Sequence, residues 1–254
     1  MLINFRDKPF PGTSETSTSF DRLDWRAEVL LTRNREAIEN KKILDLASHD
    51  GRFSWACLKL GAAHVTGVEG RRNLVQHADD NLRNMGVSKT SYRFIEGDVF
   101  EILPDFSAGE FDTILCLGFF YHTIRQVELM AALKRLAPST LIMDTHIYTD
   151  NIESRFISWG KKIANLGFRL RGKEAVNKEF LYFYRESHLK GAATIEPYEV
   201  SGLPTKDLVE LLFHIYGFEF RELPWHESGI GDWAHLEDYK RGERVSYKAS
   251  ITVS

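Results

Sequence analysis

The chain has 254 residues, 43% of them hydrophobic, a formal net charge of −3 and an isoelectric point near 6.3. A protein with this average charge has no overall basic surface that would attract nucleic acid, so nucleic acid is not expected as a partner. The length suits one domain with insertions. Cys57 and Cys116 lie in apolar runs without metal or disulfide spacing, as is typical of a reducing compartment. With no secretory signal in residues 1–19 and no membrane-length apolar run, we expect a cytoplasmic protein.

The amino terminus differs in composition from the rest of the chain. Residues 1–20, which end in the Ser/Thr-rich stretch Thr13–Ser19, are predicted to be a flexible arm. Residues 21–254 are predicted to form one domain. Its first element is a helix over Asp21–Glu39, where apolar residues recur at helical spacing.

Strands and helices then alternate five times, and each strand ends near a glycine or an acid. The predicted strands are Ile43–Leu46, His64–Val68, Tyr92–Glu96, Thr113–Leu117 and Leu141–Met143. A helix over Thr205–Tyr216 and two strands, Phe218–Leu223 and Arg244–Val253, complete the pattern. Such alternation predicts an α/β fold with a doubly wound, seven-stranded, mostly parallel sheet.

Residues 147–203 interrupt this pattern. They are rich in aromatic and basic residues and show no regular periodicity. A segment this long within one domain is typical of a lid or a substrate-binding insertion, here placed after the fifth strand. We expect it to be mobile in the free protein and ordered when the acceptor binds.

The first two strands end in a loop and an acid. Asp45 lies in the first strand and is followed by a tight loop, and Glu69 ends the second strand. In a right-handed βαβ unit both lie on one rim of the sheet, where Glu69 would accept hydrogen bonds from two ribose hydroxyls. The Gly-x-Gly-x-x-Gly triplet of a dinucleotide site does not open the following helix.

This segment resembles the cofactor-binding start of the class I S-adenosylmethionine-dependent methyltransferases. The family turn is acid-x-Gly-x-Gly-x-Gly, and this chain has Asp45-x-Ala47-x-His49-x-Gly51, in which only the last glycine matches. His49 brings a side chain to a place where the backbone approaches the ligand. The resemblance implies the class I fold and S-adenosylmethionine as cofactor. The residues expected to contact it are Asp45, Ala47, His49, Gly51, Arg52, Phe53, Glu69, Gly70, Asp98, Val99, Leu117 and Tyr121.

The resemblance also implies individual roles. Asp98 is expected to accept a hydrogen bond from the adenine amino group, and the Val99 backbone amide is expected to donate one to the adenine ring. Alternatively, Gly97-Asp98 is only a turn pair. Arg52 is expected to meet the methionine carboxylate, unless it is an exposed residue of a helix start. Tyr121 is expected to present its ring to the sulfonium, with packing against the next helix as the alternative.

A second resemblance concerns the fourth strand and the loop after it. The segment FDTILCLGFFYHT is similar to the FDxVxxxGxLYHxxxP segment of the tRNA wobble-uridine carboxymethyltransferase group, and Tyr121 and His122 match it. The proline of that pattern and the group's basic amino-terminal region are absent. The specific activity of the group therefore does not carry over to this chain.

Asp144 and His146 end the fifth strand and are predicted to be the catalytic pair. Residues two apart on a strand share one side, so the carboxylate could orient a histidine that takes a proton from a substrate hydroxyl. Alternatively, the pair binds a divalent metal such as Mg²⁺, or it is only structural. His122 is the next candidate for the base.

Together these patterns predict methyl transfer from S-adenosylmethionine to a small polar acceptor, most simply O-methylation of a hydroxyl, for example on a sugar. An RNA-modifying methyl or carboxymethyl transferase and a noncatalytic S-adenosylmethionine-binding protein are the alternatives. The loop over residues 224–235 combines two tryptophans, two histidines and two acids. It is predicted to bind substrate or to form a homodimer interface.

Overall fold

In a computed structural model the protein is described over residues 1–6, 8–13, 19–149, 179–186 and 199–251. Nine strands are found in these residues. They are β1 Lys42–Leu46, β2 His64–Glu69, β3 Tyr92–Glu96, β4 Thr113–Leu117, β5 Thr140–His146, β6 Leu181–Glu186, β7 Glu199–Pro204, β8 Phe218–Glu222 and β9 Arg244–Ile251. Seven of them form the central sheet in the order β3-β2-β1-β4-β5-β9-β8, while β6 and β7 form a separate hairpin.

The central sheet has the predicted doubly wound form. Strands β1 to β5 are parallel, and β9 runs antiparallel between β5 and β8. Strand order reverses on either side of β1, so the carboxyl ends of β1 and β4 border a crevice where ligands bind in open α/β sheets. The predicted fold class is therefore confirmed.

Helices cover both faces of the sheet. They are α1 Phe10–Thr13, α2 Phe20–Leu30, α3 Arg52–Lys59, α4 Arg72–Asn84, α5 Val99–Ile102, α6 Gln126–Leu136, α7 Lys206–Ile215 and α8 Glu237–Lys240. One apolar cluster packs α2 and α3 against the sheet, and a second packs α6 and α7 against its other face. The predicted start of α7 is confirmed, since the Thr205 hydroxyl accepts from the Leu208 amide at 3.2 Å. None of the helices described is long and apolar enough to cross a membrane.

Residues 1–6 and 8–13 pack against the domain, in contrast to the flexible arm that their composition predicts. Phe5 and Phe10 are completely buried, and their rings lie 5.3 and 5.6 Å from that of Trp55. The Phe5 amide donates to Asp24 Oδ1 at 2.7 Å. Two aromatic side chains are enough to fix the segment, because each buries a large apolar area. Residues 14–18 of the predicted arm lie outside the described residues.

The insertion contains regular structure that its sequence pattern did not indicate. Strands β6 and β7 pair in antiparallel fashion, and the Tyr148 amide donates to the Pro204 carbonyl at 2.8 Å. Tyr148 is buried and its ring lies 4.9 Å from that of Phe180. The insertion is therefore joined to the domain at both ends. Residues 150–178 and 187–198, to which the predicted mobility chiefly refers, lie outside the described residues.

Candidate active site

The loop after β1 keeps a glycine-like backbone although two of its glycine positions are filled by other residues. Ala47, His49 and Gly51 have φ values of 51°, 54° and 81°, all in the left-handed region. A non-glycine residue there costs roughly 1–2 kcal/mol, and such strain is concentrated at functional sites. A Cβ at Gly51 would lie 3.0 Å from Phe94 Cζ, so this glycine serves helix packing.

A cavity of about 290 Å³ opens at the carboxyl ends of β1, β2 and β4. Most of the predicted site residues line it. These are Asp45, Ala47, His49, Arg52, Phe53, Glu69, Gly70, Asp98, Val99, Leu117, Tyr121, His122 and His146. Gly51 and Asp144 are predicted members that do not line it.

Two acids at the ends of β1 and β2 are buried in the cavity wall. Asp45 accepts from the Ser54 hydroxyl at 2.7 Å, and burial raises the pKa of its carboxyl to about 7. The Glu69 carboxylate accepts from the His49 amide at 3.0 Å and from the amide and Nε of Arg71, both at 3.1 Å. Glu69 therefore links the β1 loop to the β2 loop, which shapes the rim that would receive a ribose.

Asp98 caps a helix, as the turn alternative predicts, and its side chain also lines the cavity. Its Oδ1 accepts from the Phe100 amide at 2.8 Å and caps α5, as a turn or helix-cap residue would. Its Oδ2 lies 4.0 Å from Arg125 Nη1 at the cavity side. One oxygen is thus used by the fold, and the carboxylate as a whole still lines the cavity.

Arg52 is held by its neighbour in the loop. Its Nε and Nη2 lie 2.6 and 2.8 Å from the two oxygens of Asp50, a bidentate ion pair. Although burial opposes the charge, His49 and Arg52 lower the pKa of Asp50 to about 2. Arg52 is therefore buried and paired with the protein, in contrast to the alternative of an exposed side chain, and it still lines the cavity.

Arg26 of α2 was missed by the sequence analysis. It lines the cavity, its guanidinium carbon lies 4.8 Å from the Phe53 ring, and its Nη2 lies 2.7 Å from Asp144 Oδ2. Its Nε is buried and has no hydrogen-bond partner among the described residues. The spacing of α2 predicted a covering helix, but only the fold shows which side chain of that helix reaches the rim.

The loop after β4 brings aromatic and imidazole rings to the other end of the cavity. The Tyr121 ring lies 4.0 Å from that of His122 and 4.8 Å from that of His146. His122 Nδ1 lies 2.7 Å from Glu186 Oε2, which comes from the inserted hairpin. Glu186 carried no signal in the sequence, because it lies within the irregular segment.

The match to known proteins falls on this part of the chain. Residues 43–139 match the model of a methyltransferase domain family. A methyltransferase-domain match is thus placed on residues 43–139, which are less than half of the chain. The predicted resemblance to class I S-adenosylmethionine-dependent methyltransferases is thus confirmed, and the domain holds β1 to β4 with the loops that line the cavity.

Relatives of the methyltransferase domain differ in their named activities. The chain is 27% identical over 151 residues to the tRNA U34 carboxymethyltransferase of Nautilia profundicola, covering 58% of this chain and 47% of that protein. It is 29% identical over 101 residues to the ubiquinone biosynthesis O-methyltransferase of Methylococcus capsulatus, covering 40% of each. The chain spans less than half the length of the curated relatives it matches.

Solved structures agree in fold over nearly the whole chain. The PH0226 protein from Pyrococcus horikoshii OT3 has a TM-score of 0.58 and 16% identity, covering 98% of both chains. The N-terminal domain of EvdMO1 with SAH (S-adenosylhomocysteine) bound has a TM-score of 0.59 and 16% identity, covering 92% of this chain and 82% of that one. At 16% identity this likeness concerns the fold alone.

Asp144 is not the partner of His146 that its position in β5 predicts. It is fully buried, and its carboxylate accepts from Arg244 Nε at 2.9 Å, Ser246 Oγ at 2.7 Å and the Tyr239 hydroxyl at 3.1 Å. Burial opposes its charge, but Arg244 and Arg26 outweigh this and hold the pKa of Asp144 well below its usual range. Its oxygens are therefore occupied by contacts between β5 and residues 239–246.

His146 lies among different partners from those expected. Its Nδ1 lies 3.3 Å from the Glu243 carbonyl, and its Nε2 lies 3.7 Å from Asp238 Oδ2. Burial and the nearby Arg244 guanidinium lower the pKa of His146 to about 3. Burial and the adjacent cation thus disfavour the expected histidine that titrates near neutrality.

The structure also bears on the metal alternative and on the loop over residues 224–235. Within the described parts of the chain, no group of three or more His, Cys, Asp or Glu side chains could hold a metal ion, so the Asp144 and His146 metal site is not supported. The 224–235 loop does not line the cavity. Instead Trp225 is buried, stacks on Tyr239 at 3.7 Å and donates to the Ser246 hydroxyl at 2.9 Å.

Proposed function

We propose that this protein transfers a methyl group from S-adenosylmethionine to a hydroxyl of a small polar acceptor. One observation carries the proposal: a single cavity joins the strand-end acids Asp45, Glu69 and Asp98 to the imidazole of His122. The acids suit the hydroxyls and amino groups of a nucleoside, and the imidazole suits proton removal from an acceptor. Alignment of the two reactants within the cavity would supply much of the rate.

The residues at the rim fit S-adenosylmethionine. Glu69 would hold the ribose hydroxyls, and Asp98 with the Val99 amide would hold the adenine, since these groups line one wall of the cavity. Arg26 is a better ligand for the methionine carboxylate than Arg52, because its buried Nε has no partner among the described residues. When bound, the cofactor supplies a methyl group on a positively charged sulfur.

His122 is better placed than His146 to take the acceptor proton. Its Nδ1 faces Glu186, and its Nε2 makes no hydrogen bond within the described parts of the chain. Both ring nitrogens of His146 face protein groups, and a pKa of about 3 makes it a weak base. We therefore assign His122 as the base and His146 to the cavity wall.

An RNA acceptor is the second candidate. The relatives include, by name, a tRNA U34 carboxymethyltransferase and a ribosomal RNA large subunit methyltransferase, so the low average charge of this chain does not decide against nucleic acid. Exposed Phe183, at 59% exposure, and Tyr182, at 40%, on the hairpin beside His122 are side chains on which unpaired bases can stack.

One assay separates these functions. The purified protein is incubated with methyl-labelled S-adenosylmethionine and, in parallel, with a small-metabolite extract or with unmodified tRNA and rRNA. Label in an alkali-stable small product supports the proposal, and label in RNA supports the second candidate. Calorimetry with S-adenosylhomocysteine tests whether the protein binds the cofactor without catalysing transfer. Binding without methyl transfer to the metabolite extract or to RNA would indicate a noncatalytic cofactor-binding protein.

A further inference from the structure

The inserted hairpin supplies a carboxylate to the catalytic loop. Glu186, the last residue of β6, has only 10% of its side chain exposed, and its Oε2 lies 2.7 Å from His122 Nδ1. Ser201 on the neighbouring strand β7 is fully buried, and its hydroxyl lies 2.6 Å from the same oxygen. The Glu186 carboxylate therefore contacts both the loop after β4 and strand β7.

The hairpin is fastened to this loop by a second, independent contact. Gln126, at the start of α6, is 2% exposed and donates from Nε2 to the Gly202 carbonyl at 2.9 Å and to the Phe120 carbonyl at 3.1 Å. The Ser201 hydroxyl also lies 3.2 Å from the His122 carbonyl. Strand β7 and the turn that carries His122 are thus one packed unit, so the Glu186 carboxylate is held in a fixed place.

The protonation states fix the direction of the hydrogen bond. Burial opposes ionisation of Glu186, but hydrogen bonds from His122 and Ser201 outweigh it and hold the pKa of Glu186 below its ordinary value. Burial raises the pKa of Tyr184, whose hydroxyl adjoins the same carboxylate, so it stays neutral. An ionised carboxylate only accepts, so His122 Nδ1 carries the hydrogen and the lone pair lies on Nε2.

We infer that Glu186 is a positioning residue that holds His122 in the tautomer whose Nε2 accepts the proton of the acceptor hydroxyl. This inference rests on the proposed function. In the reaction the acceptor O–H bond breaks and an N–H bond forms at Nε2. The acceptor oxygen bonds to the methyl carbon as the S–CH₃ bond of the donor breaks, which leaves a neutral thioether. The resulting imidazolium is stabilised by the Glu186 carboxylate and later returns its proton to solvent.

In this arrangement the inserted hairpin takes part in proton removal and not only in acceptor binding. Residues 120–122 lie within the stretch that matches the methyltransferase domain, whereas Glu186 and Ser201 lie outside it, between β5 and α7. The same arrangement of an imidazole oriented by a carboxylate recurs in unrelated enzymes, because it solves the same geometrical problem. In this chain the inserted hairpin supplies the carboxylate that orients the His122 imidazole.

The test reads the His122 tautomer directly by ¹⁵N NMR of the imidazole ring in the full chain without cofactor, with the resonance assigned from His122→Gln. In the native protein we expect the Nδ1–H form to predominate by about tenfold, and in Glu186→Gln we expect a mixture of tautomers. Glu179→Gln, the same change at an exposed position just before the hairpin, is the matched control and should behave as native. An unchanged tautomer in Glu186→Gln would overturn the inference.

Turnover gives the second readout. Glu186→Gln should lower kcat by about tenfold to a hundredfold and leave cofactor affinity unchanged. Glu186→Asp should recover part of the lost kcat. In a His122→Ala background, adding Glu186→Gln should not lower kcat further. Additive losses would mean a merely structural role and overturn the inference. A tautomer change without methyl transfer to any acceptor would instead contradict the proposed function and leave the positioning contact in place.

Discussion

Arg244 Nη2 lies 2.8 Å from Asp144 Oδ2, and the two side chains are only 4% and 0% exposed. Arg26 joins the same carboxylate from α2, so one buried anion links β5, β9 and the helix that covers the cavity. Removing one member of such a group leaves buried cations without compensation. The pair therefore holds together the wall against which the acceptor would lie.

Asp144→Asn should consequently destabilise the fold. We expect a loss of about 3–5 kcal/mol in the free energy of unfolding, measured by urea denaturation at pH 7. Asp232→Asn, at an exposed loop position, is the control and should change it by less than about 0.5 kcal/mol. Native stability combined with lost turnover in Asp144→Asn would restore the catalytic role suggested by its position in the strand.

Glu69→Ala should weaken S-adenosylhomocysteine binding by on the order of 3 kcal/mol, because two hydrogen bonds to a charged acceptor would be lost. Glu96, which lies opposite Glu69 in the register of β2 and β3 and is largely solvent-exposed, provides the control Glu96→Ala. Isothermal titration calorimetry measures both. Equal affinities in the two variants would exclude the ribose contact.

Arg26→Met should reduce affinity for S-adenosylhomocysteine about tenfold or more while leaving 5′-methylthioadenosine binding unchanged, since the latter lacks the amino-acid carboxylate that Arg26 would hold. Circular dichroism should confirm that the variant folds, because Arg26 also pairs with Asp144. If the variant binds both ligands more weakly by the same factor, Arg26 stabilises the fold of the site and does not bind the carboxylate of the ligand.

His122→Gln should lower kcat by about a hundredfold, whereas His146→Gln should lower it less than tenfold. Between pH 5 and 8 His146 is neutral, because its pKa is about 3, so its replacement should not alter the pH–rate profile in that range. Steady-state kinetics with the identified acceptor measure both. The reverse order of losses would return the base assignment to His146.

Asp45→Asn should stabilise the protein at alkaline pH. The folded-state pKa of about 7 lies above the ordinary value, so the stability that the protonated form provides is complete below about pH 4 and is lost as pH rises through 7. We expect the variant to exceed the native protein by on the order of 2 kcal/mol at pH 8 and to match it near pH 4. Urea denaturation at both pH values decides this, and a less stable variant at pH 8 would contradict the buried-acid explanation.

The sequence by itself determined the doubly wound form of the sheet and the edge on which the strand-end acids lie. Alternating strands and helices with Asp45, Glu69 and Asp98 at strand ends can fold only with these acids on one edge, because parallel strands linked by right-handed crossovers all end at the same side. The glycine-poor turn at Ala47 and His49 kept its left-handed backbone, since the surrounding strands and Glu69 hold the loop from both sides.

Only the tertiary structure decided which groups meet at the reacting end. Asp144 and His146 are two residues apart on one strand, yet the carboxylate bonds to Arg244 and Ser246 of β9, because antiparallel pairing brings that strand alongside β5. Glu186 reaches His122 across 64 positions of the chain. Local periodicity reports the face on which a side chain lies, but burial and long-range partners set its charge and orientation, and these depend on which distant segments pack together.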